Sequence, residues 1–415
     1  MGSGGGCVIK TVSLAQYQQI VGNSVMTVLA NTYTFVSGIT HTIRKCYKVS
    51  FGINDRLVIA EGANITLEGD LEVLEQTNEI DIITVNGTFT IEKESTIKFE
   101  SLQNSTGILV NSSNSLYING GEITATVIGG LNSNLIKVNA NGSVTQNNGI
   151  ITVEKISELG NNSSVYVDGT NAIFTQNGGS ITIKNMDSTD SIGLYIRNGG
   201  TFIQNEGGSI AIENINSEVR GIVGILIEGT DTIFTQNGGS ITIKNMDSTE
   251  DGYISGISLI RNAIYTQKGG SITIENIKGI TGELKEETNF SVGLAINFNI
   301  GLVDSSSSFN QIGGTITIKN VGDNGVGVNV YDDKDIDNVK FYVNNLTISG
   351  DGKSDSSIGF LCNVKDGVIN SGTVHVYDTK LMYSNDGKNE TTPLPTAEPN
   401  NNEYFTGKTY YNEKE

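Results

Sequence analysis

The chain has few of the residues on which disulfide-rich, metal-binding and sugar-binding proteins commonly depend. Its 415 residues include no tryptophan, three cysteines and two histidines. Cys7, Cys46 and Cys362 are odd in number and far apart, so they do not indicate a disulfide framework. His41 and His375 lie in different parts of the chain. The absence of tryptophan removes the aromatic platform that sugar-binding proteins commonly offer.

Proline and long apolar runs are also scarce. The three prolines lie in a polar segment near the end of the sequence (Pro393, Pro395 and Pro399), so none removes a donor from a β-ladder before residue 380. No run of about eighteen apolar residues is present, which excludes an apolar spanning helix. The start, MGSGGGC, lacks the basic and apolar regions of a secretory signal. We expect residues 1–7 to form a flexible leader.

Basic residues are also few compared with acidic ones. The chain has 26 basic residues against 45 acidic ones, and its formal net charge is −19. Such an excess disfavours binding to nucleic acid or to an anionic membrane surface. We therefore expect no nucleic-acid partner and no membrane insertion.

A long internal repeat dominates the sequence. The segment IFTQNGGSITIKNMDST, Ile173–Thr189, recurs letter for letter at Ile233–Thr249, and diverged copies occur at Ile203–Asn214 and Tyr265–Asn276. One repeat unit is therefore about thirty residues long, and a repeat of that period indicates stacked supersecondary units.

Aligning the chain on an apolar-polar-apolar triplet extends the repeat to roughly eleven coils over residues 51–380. The aligned triplets are Ile65–Leu67, Phe89–Ile91, Ile123–Ala125, Ile151–Val153, Ile181–Ile183, Ile210–Ile212, Ile241–Ile243, Ile272–Ile274, Ile316–Ile318, Leu346–Ile348 and Val374–Val376. Because the triplets alternate with period two, we expect each to be a short strand with an aliphatic inner face.

Each coil carries two further strand signals. One is a Gly-led run such as Gly193–Ile196 or Gly293–Ile296, and the other centres on an aromatic residue (Phe174, Phe202, Phe234, Tyr265 and Phe309). The corners between strands are rich in glycine and asparagine, which tolerate positive φ. The sequence predicts three short strands per coil, with the aromatic column inside.

Two outward columns follow from the same alignment. One alternates in charge through Glu154, Lys184, Glu213, Lys244, Glu275 and Lys319. The other is a column of corner asparagines: Asn185, Asn214, Asn245, Asn276 and Asn320. We expect the first to help set the register between coils and the second to form an amide ladder.

The ends of the stack need covers because each end presents unpaired strand edges. Residues 8–50 are predicted to be the N-terminal cap. In this segment Ser13 caps a short helix that places Leu14, Tyr17 and Ile20 on one face, and the strand-like runs Thr32–Val36 and Lys48–Phe51 follow. For the tail, residues 381–415, docking on the last coil and docking on a partner both remain open.

The candidate chemical groups are acidic clusters at predicted corners and a few outward tyrosines. The clusters are Asp332, Asp333, Asp335 and Asp337; Asp187 and Asp190; Asp247, Glu250 and Asp251; and Glu283, Glu286 and Glu287. We interpret them as solvated loop charge. Tyr166, Tyr195 and Tyr342 are predicted to face outward but are too few to define a sugar-binding groove. The sequence predicts no catalytic residue, no metal ligand and no cofactor site.

The GGSITI-type coils, the aliphatic columns and the helical cap together resemble right-handed parallel β-helix proteins. That superfamily includes pectin-lyase-like enzymes, phage tailspikes, bacterial adhesins and virion-surface proteins. The resemblance spans about residues 50–380 and implies an all-β solenoid. The Asp cluster, Gly-His-Gly and Arg-x-Lys signatures of the pectinolytic members have no match in this sequence.

We therefore expect a non-enzymatic structural or attachment protein at a virion surface. Its partners would be other structural proteins of the particle, with a homotrimer and a host glycan as further options. Two alternatives stay open. One is a bacterial cell-surface adhesin, and the other is a tailspike-like glycan depolymerase whose site lies between subunits.

Overall fold

The computed structural model describes most of the chain. The described residues are 7–76, 79–113, 115–157, 160–187, 190–217, 221–248, 253–279, 291–296, 307–331, 340–353, 357–363, 369–379 and 408–411. The leader residues 1–6 and most of the predicted tail lie outside these ranges.

The chain folds into one short helix and a long series of strands. The helix is α1 (Leu14–Val21). The strands are β1 (Lys10–Ser13), β2 (Met26–Leu29), β3 (Thr32–Phe35), β4 (Thr40–Ile43), β5 (Tyr47–Phe51), β6 (Arg56–Ile59), β7 (Asn64–Leu67), β8 (Asp70–Val73), β9 (Ile80–Val85), β10 (Thr88–Glu92), β11 (Thr96–Gln103), β12 (Ser105–Val110), β13 (Leu116–Gly129), β14 (Asn134–Val138), β15 (Ser143–Ile156), β16 (Ser163–Asp168), β17 (Ile173–Ile183), β18 (Ile192–Arg197), β19 (Thr201–Ser217), β20 (Ile222–Glu228), β21 (Ile233–Gln236), β22 (Ser240–Ser248), β23 (Ile254–Ile260), β24 (Ile264–Gln267), β25 (Ser271–Lys278), β26 (Ser291–Ile296), β27 (Ser308–Gln311), β28 (Thr315–Val321), β29 (Gly325–Tyr331), β30 (Lys340–Gly350), β31 (Ile358–Asn363), β32 (Ile369–Tyr377) and β33 (Lys408–Tyr411).

The strands stack in three parallel ladders that run along the molecule. The first, which we call the aromatic ladder, pairs β4, β7 and β10 and continues through the aromatic positions Phe174 and Phe202. The SITI ladder pairs β5, β8 and β11 and continues through the GGSITI repeats. The third ladder, the outer sheet, runs from β3 through β31. Only β2 pairs antiparallel, with β3, among the described strands.

The predicted class, an all-β parallel β-helix, is confirmed. The solenoid has about nine turns, and the ladders continue through β31 and β32. The count differs slightly from the eleven coils predicted. No helix among the described residues is long and apolar enough to cross a bilayer.

The predicted alignment is wrong for the first two coils. Ile65–Leu67 and Phe89–Ile91 lie in the aromatic ladder, where Phe89 pairs with Leu116. Their coils contribute β8 and β11 to the SITI ladder instead. Both ladders have the same inward-outward-inward pattern, so the triplet alone does not distinguish them.

Aromatic side chains fill the interior as predicted. Successive rings along Phe174, Phe202, Phe234, Tyr265 and Phe309 are stacked with centroids 4.8 to 5.0 Å apart, and all five are fully buried. Offset stacking at this spacing is a favourable aromatic arrangement. The column is therefore core and offers no ring to a ligand.

A buried glutamine column lies beside the aromatic column, and the sequence analysis missed it. Gln176, Gln204 and Gln236 are fully buried. Each donates from Nε2 to the serine carbonyl of the next coil, at 3.1, 3.0 and 3.2 Å. Tyr265 takes the place of a phenylalanine in the aromatic column, and its hydroxyl donates to Gln236 at 3.1 Å. The column satisfies backbone carbonyls at the Gly-Gly corners, which explains why glutamine precedes these corners.

Both predicted outward columns are present. Lys184 pairs with Glu154 at 2.6 Å, and Lys319 with Glu275 at 3.8 Å. The corner asparagines form an amide ladder in which each Nδ2 donates to the preceding Oδ1 at 2.7 to 3.2 Å. Asn245 has φ of 58°, in the left-handed region that asparagine tolerates better than most residues.

The short helix predicted in residues 8–50 forms, but β3, β4 and β5 of the same segment pair in the solenoid ladders. Ser13 and Gln16 make a capping box, with Gln16 N–H donating to the Ser13 hydroxyl at 3.1 Å. Leu14 and Tyr17 are buried, whereas Ile20, predicted to lie on the same face of the helix, is 54% exposed. At the other end, β33 pairs in parallel with β32, so this part of the tail extends the SITI ladder.

One disulfide is present, although the number and spacing of the cysteines did not indicate a disulfide framework. Cys7 and Cys46 are joined by a disulfide across a sequence separation of 39. Parallel pairing of β1 with β5 brings the two cysteines together, since β1 follows Cys7 and β5 follows Cys46. The side chain of Cys362 lies outside the described part of the structure.

We predict that Asn245→Ala lowers the free energy of unfolding more than Asn245→Gly. Alanine loses two ladder hydrogen bonds and strains the left-handed backbone, for a total of about 2–4 kcal/mol. Glycine loses the bonds without the strain, about 1–2 kcal/mol. Urea denaturation measures both variants, with Asn237→Ala, in a second asparagine ladder, as the control. Equal losses for alanine and glycine would contradict the backbone argument.

We also predict that Cys46→Ser loosens the N-terminal cap. Removing a native disulfide of this loop length costs about 2–4 kcal/mol. Amide hydrogen exchange of residues 10–21 should rise, and reductant should have the same effect on the unaltered protein. Mass spectrometry showing free thiols at Cys7 and Cys46 in the non-reduced protein would rule out the bond.

Candidate functional site

The predicted acidic clusters do not come together as a catalytic group in the described structure. Asp187 pairs with Lys155 at 2.8 Å, and Asp247 with Lys278 at 3.3 Å. Asp190 lies at a corner with φ of 62°. No group of three potential metal ligands occurs among the described residues. The other predicted acidic residues lie outside the described ranges: Asp332, Asp333, Asp335, Asp337, Glu250, Asp251, Glu283, Glu286 and Glu287.

The two histidines lie at different levels of the stack. His41, in β4, shares a 2.9 Å hydrogen bond with the Tyr17 hydroxyl through its Nε2 atom. Burial, followed by the charge of Arg44, lowers the pKa of His41. His375 pairs with Thr347 in the SITI ladder, at the outward position where threonine stands in other coils.

A cluster of tyrosine, arginine and carboxylate side chains lies on the outer sheet. We call it the tyrosine–arginine cluster, and it consists of Tyr166, Tyr195, Arg197, Glu228 and Arg261, flanked by Lys137 and Asp168. In the parallel register Tyr166 pairs with Tyr195, and Arg197 with Glu228. Residues about thirty apart in sequence therefore become neighbours in the stack.

The two tyrosine rings lie one above the other along the ladder. Tyr166 and Tyr195 have centroids 5.1 Å apart and an interplanar angle of 21°. Lys137 pairs with Tyr166 on the other side, with its Nζ 5.3 Å from the ring centroid. Because neighbours cover both faces of the Tyr166 ring, it offers no flat surface to a sugar. Tyr166 and Tyr342 are half-buried, and Tyr195 lies on the same face as Tyr166 but is only 7% exposed because its neighbours cover it.

Every charged group in the cluster has an opposite charge beside it. Tyr195 donates its hydroxyl proton to the Glu228 carboxylate and accepts a 3.2 Å hydrogen bond from Arg197. Arg197 also pairs with Asp168 at 3.3 Å, and Arg261 pairs with Glu228. Glu228 is only 9% exposed. Its negative charge is therefore compensated by Arg261 and Tyr195 rather than by solvent.

The electrostatics disfavour acid–base chemistry at this cluster. Burial, together with the hydrogen bond to Glu228, raises the pKa of Tyr195 to about 12. Burial and the nearby Asp168 also raise the pKa of Tyr166. Both phenols stay protonated near neutral pH, whereas a general base needs a pKa close to the working pH. The arrangement is suited to holding coils together and presenting a neutral, hydrogen-bonded surface.

Tyr166 and Tyr195 were predicted from the sequence, but Arg197, Glu228 and Arg261 were not. The missed residues stand one or two positions beyond the apolar strand positions, in coils whose corners differ in length. A column alignment of the outer-sheet strands, like that used for the GGSITI repeats, would have placed Arg197 beside Glu228.

We predict that alkaline pH weakens the fold partly through Tyr195. Its folded pKa of about 12 exceeds the reference value of 10.0, so the unfolded chain releases this proton first. Stability from Tyr195 is complete below pH 10 and is lost as pH rises toward 12. Urea denaturation at a series of pH values should show a smaller loss for Tyr195→Phe than for the unaltered protein. Tyr117→Phe, outside the cluster, is the control, and parallel curves for all three proteins would refute the assignment.

Comparison with known proteins identifies the architecture. The family model of the BigA third pectate lyase-like domain matches residues 79–338. No curated protein matches the chain, and no solved structure matches it. The match covers well over half of the 415 residues, and it agrees with the predicted membership of the parallel β-helix superfamily. The chain therefore belongs to the family of the BigA third pectate lyase-like domain.

Proposed function

We propose that the chain is a non-enzymatic, adhesin-like segment of a bacterial surface protein, in which the β-helix serves as a rod for attachment. The observation that carries this proposal is the family match over residues 79–338, because BigA-type domains belong to bacterial surface proteins. It favours the adhesin alternative of the sequence analysis over the virion role, which stays a prediction.

The disulfide supports an extracellular route. Disulfides such as Cys7–Cys46 form and persist in oxidising compartments and are rare in reducing cytosol. A protein assembled and retained in the cytosol would gain nothing from this bond. The net charge of −19 also suits an extended molecule that exposes a large surface to solvent.

The chemistry of the outer sheet supports the non-enzymatic part of the proposal. In the tyrosine–arginine cluster, Glu228 is engaged by Tyr195 and Arg261, and Arg197 is engaged by Asp168. Such compensated groups have no free carboxylate or base to offer a substrate. A depolymerase with a site between subunits is the competing hypothesis, and assembly state and activity distinguish the two.

We predict that the chain is exposed on intact cells of its source organism with Cys7 and Cys46 oxidised. Labelling of non-permeabilised cells with an antibody tests the exposure, and differential alkylation of the same sample tests the disulfide. A cytosolic protein serves as the control for cell integrity. Stoichiometric recovery in purified virus particles, or restriction to the cytosol with both thiols reduced, would overturn the surface assignment.

The purified chain should release no reducing ends from acidic or neutral polysaccharides above the buffer level. Light scattering on the same sample gives the assembly state. Release of reducing ends by a trimeric form would replace the attachment proposal with the depolymerase.

A further inference from the structure

A pocket lies at the N-terminal end of the solenoid, between α1 and the turn from β4 to β5. We call it the N-terminal pocket, and the lining residues that matter here are Tyr17, Ile20, His41, Arg44, Lys45 and Tyr47. It is formed by α1 together with β4, β5 and the turn between them, and α1 has no equivalent in the later coils among the described residues.

The pocket carries positive charge in an acidic protein. Arg44 and Lys45 are adjacent and exposed, and neither makes an ion pair with a described residue. Lys48, three residues further on, differs in that it pairs with Glu72 at 2.8 Å. Glu68 also lines the pocket, so two cations face one carboxylate there. A small anion would gain an attraction at this position that the rest of the acidic chain opposes.

The inner wall of the pocket is aromatic and electrically neutral. The Tyr17 hydroxyl and His41 Nε2 are 2.9 Å apart, and the Tyr17 and Tyr47 rings pack edge to face at 5.4 Å. Burial and Arg44 lower the pKa of His41, so its imidazole is neutral at pH 7. Positive charge is thus confined to the Arg44–Lys45 side.

An aliphatic side chain stands exposed at the rim. Ile20 lies on the apolar side of α1 in sequence, yet it is 54% exposed and lines the pocket. The pocket therefore combines two cations, an aromatic wall and an aliphatic rim. A ligand that matches all three carries an anionic group next to an apolar ring face.

The cationic turn is held in place before any ligand binds. Cys46 is tied to Cys7 by the disulfide, and its carbonyl accepts a 2.8 Å hydrogen bond from the Lys10 N–H. The Tyr47 N–H donates to the Arg44 carbonyl at 2.9 Å and closes the turn. A pre-ordered turn reduces the entropy lost when a ligand is bound.

We propose that the N-terminal pocket binds an acidic sugar residue, with Arg44 and Lys45 pairing with its carboxylate and Ile20 and Tyr47 contacting its ring. The inference rests on the proposed attachment function and names the ligand class that such attachment would use. A sugar acid fits better than a bare inorganic anion because the aliphatic and aromatic sides of the pocket would otherwise stay unpartnered.

Ligand-observed NMR on the full chain with its disulfide intact tests the site. The probes are D-glucuronate and N-acetylneuraminate, with methyl glucoside, acetate and inorganic phosphate as the comparison ligands. We expect the two sugar acids to bind at least tenfold more tightly than any comparison ligand. Arg44→Gln and Lys45→Gln should each weaken binding by at least fivefold, and Ile20→Ser should weaken the sugar acids without affecting acetate.

Lys93→Gln removes an exposed lysine outside the pocket and is the matched control for Lys45→Gln. Equal binding of acetate, phosphate and the sugar acids would mean a non-specific anion site, and no binding of any probe would mean no site; either result overturns the inference. Surface labelling of cells that carry the unaltered chain, together with the binding assay on that chain, separates the two proposals. Exposure without sugar-acid binding would sink only this inference, whereas binding by a protein absent from the surface would sink the proposed function alone.

Discussion

In-register parallel stacking is the constraint on which the rest of this structure depends. A coil of about thirty residues cannot bury enough apolar surface to offset the entropy of ordering its backbone, so each coil needs the coils above and below it. Because the coils stack in register, identical residues of successive coils contact each other: phenylalanine contacts phenylalanine, glutamine contacts glutamine and asparagine contacts asparagine. Such columns favour neutral side chains that can hydrogen-bond or stack with an identical residue. A column of charged side chains is favourable only if the sign of the charge alternates from coil to coil. The Glu154 and Lys184 pair meets that condition.

The same constraint explains which parts of the fold the sequence could predict. The coils from Ile173 to Asn276 repeat almost letter for letter, so their strands, corners and outward columns follow from alignment. The early coils are shorter and lack the Gly-Gly corner, which left Phe89 open to assignment to the wrong ladder. Gln204 escaped notice because a polar residue next to a corner is normally solvated, whereas here it is buried against backbone carbonyls.

The features of the N-terminal segment and of the tyrosine–arginine cluster that were not predicted from the sequence have a different physical origin. The Cys7–Cys46 bond depends on β1 returning to pair with β5, a long-range contact that cysteine count and spacing do not encode. Helical periodicity placed Ile20 on the face of Leu14 and Tyr17, but α1 has only eight residues and Ile20, near its C-terminal end, is 54% exposed. Arg197 and Glu228 meet only after the outer-sheet register is known. In each case the local pattern was correct and the partner was unknown.

Repetition also limits where a binding site can lie. Within the repeated coils, a side chain at a given position has equivalent side chains about 4.8 Å above and below it, as expected for neighbouring strands. These neighbours occupy its hydrogen-bonding groups, cover its ring faces or compensate its charge. The tyrosine–arginine cluster is an example. Its residues depart from the strict repeat, yet their charges still pair with one another. At the end of the stack, in contrast, the equivalents are missing on one side. Arg44 and Lys45 lie there without an ion pair to a described residue, and this is where we propose that a ligand is recognised.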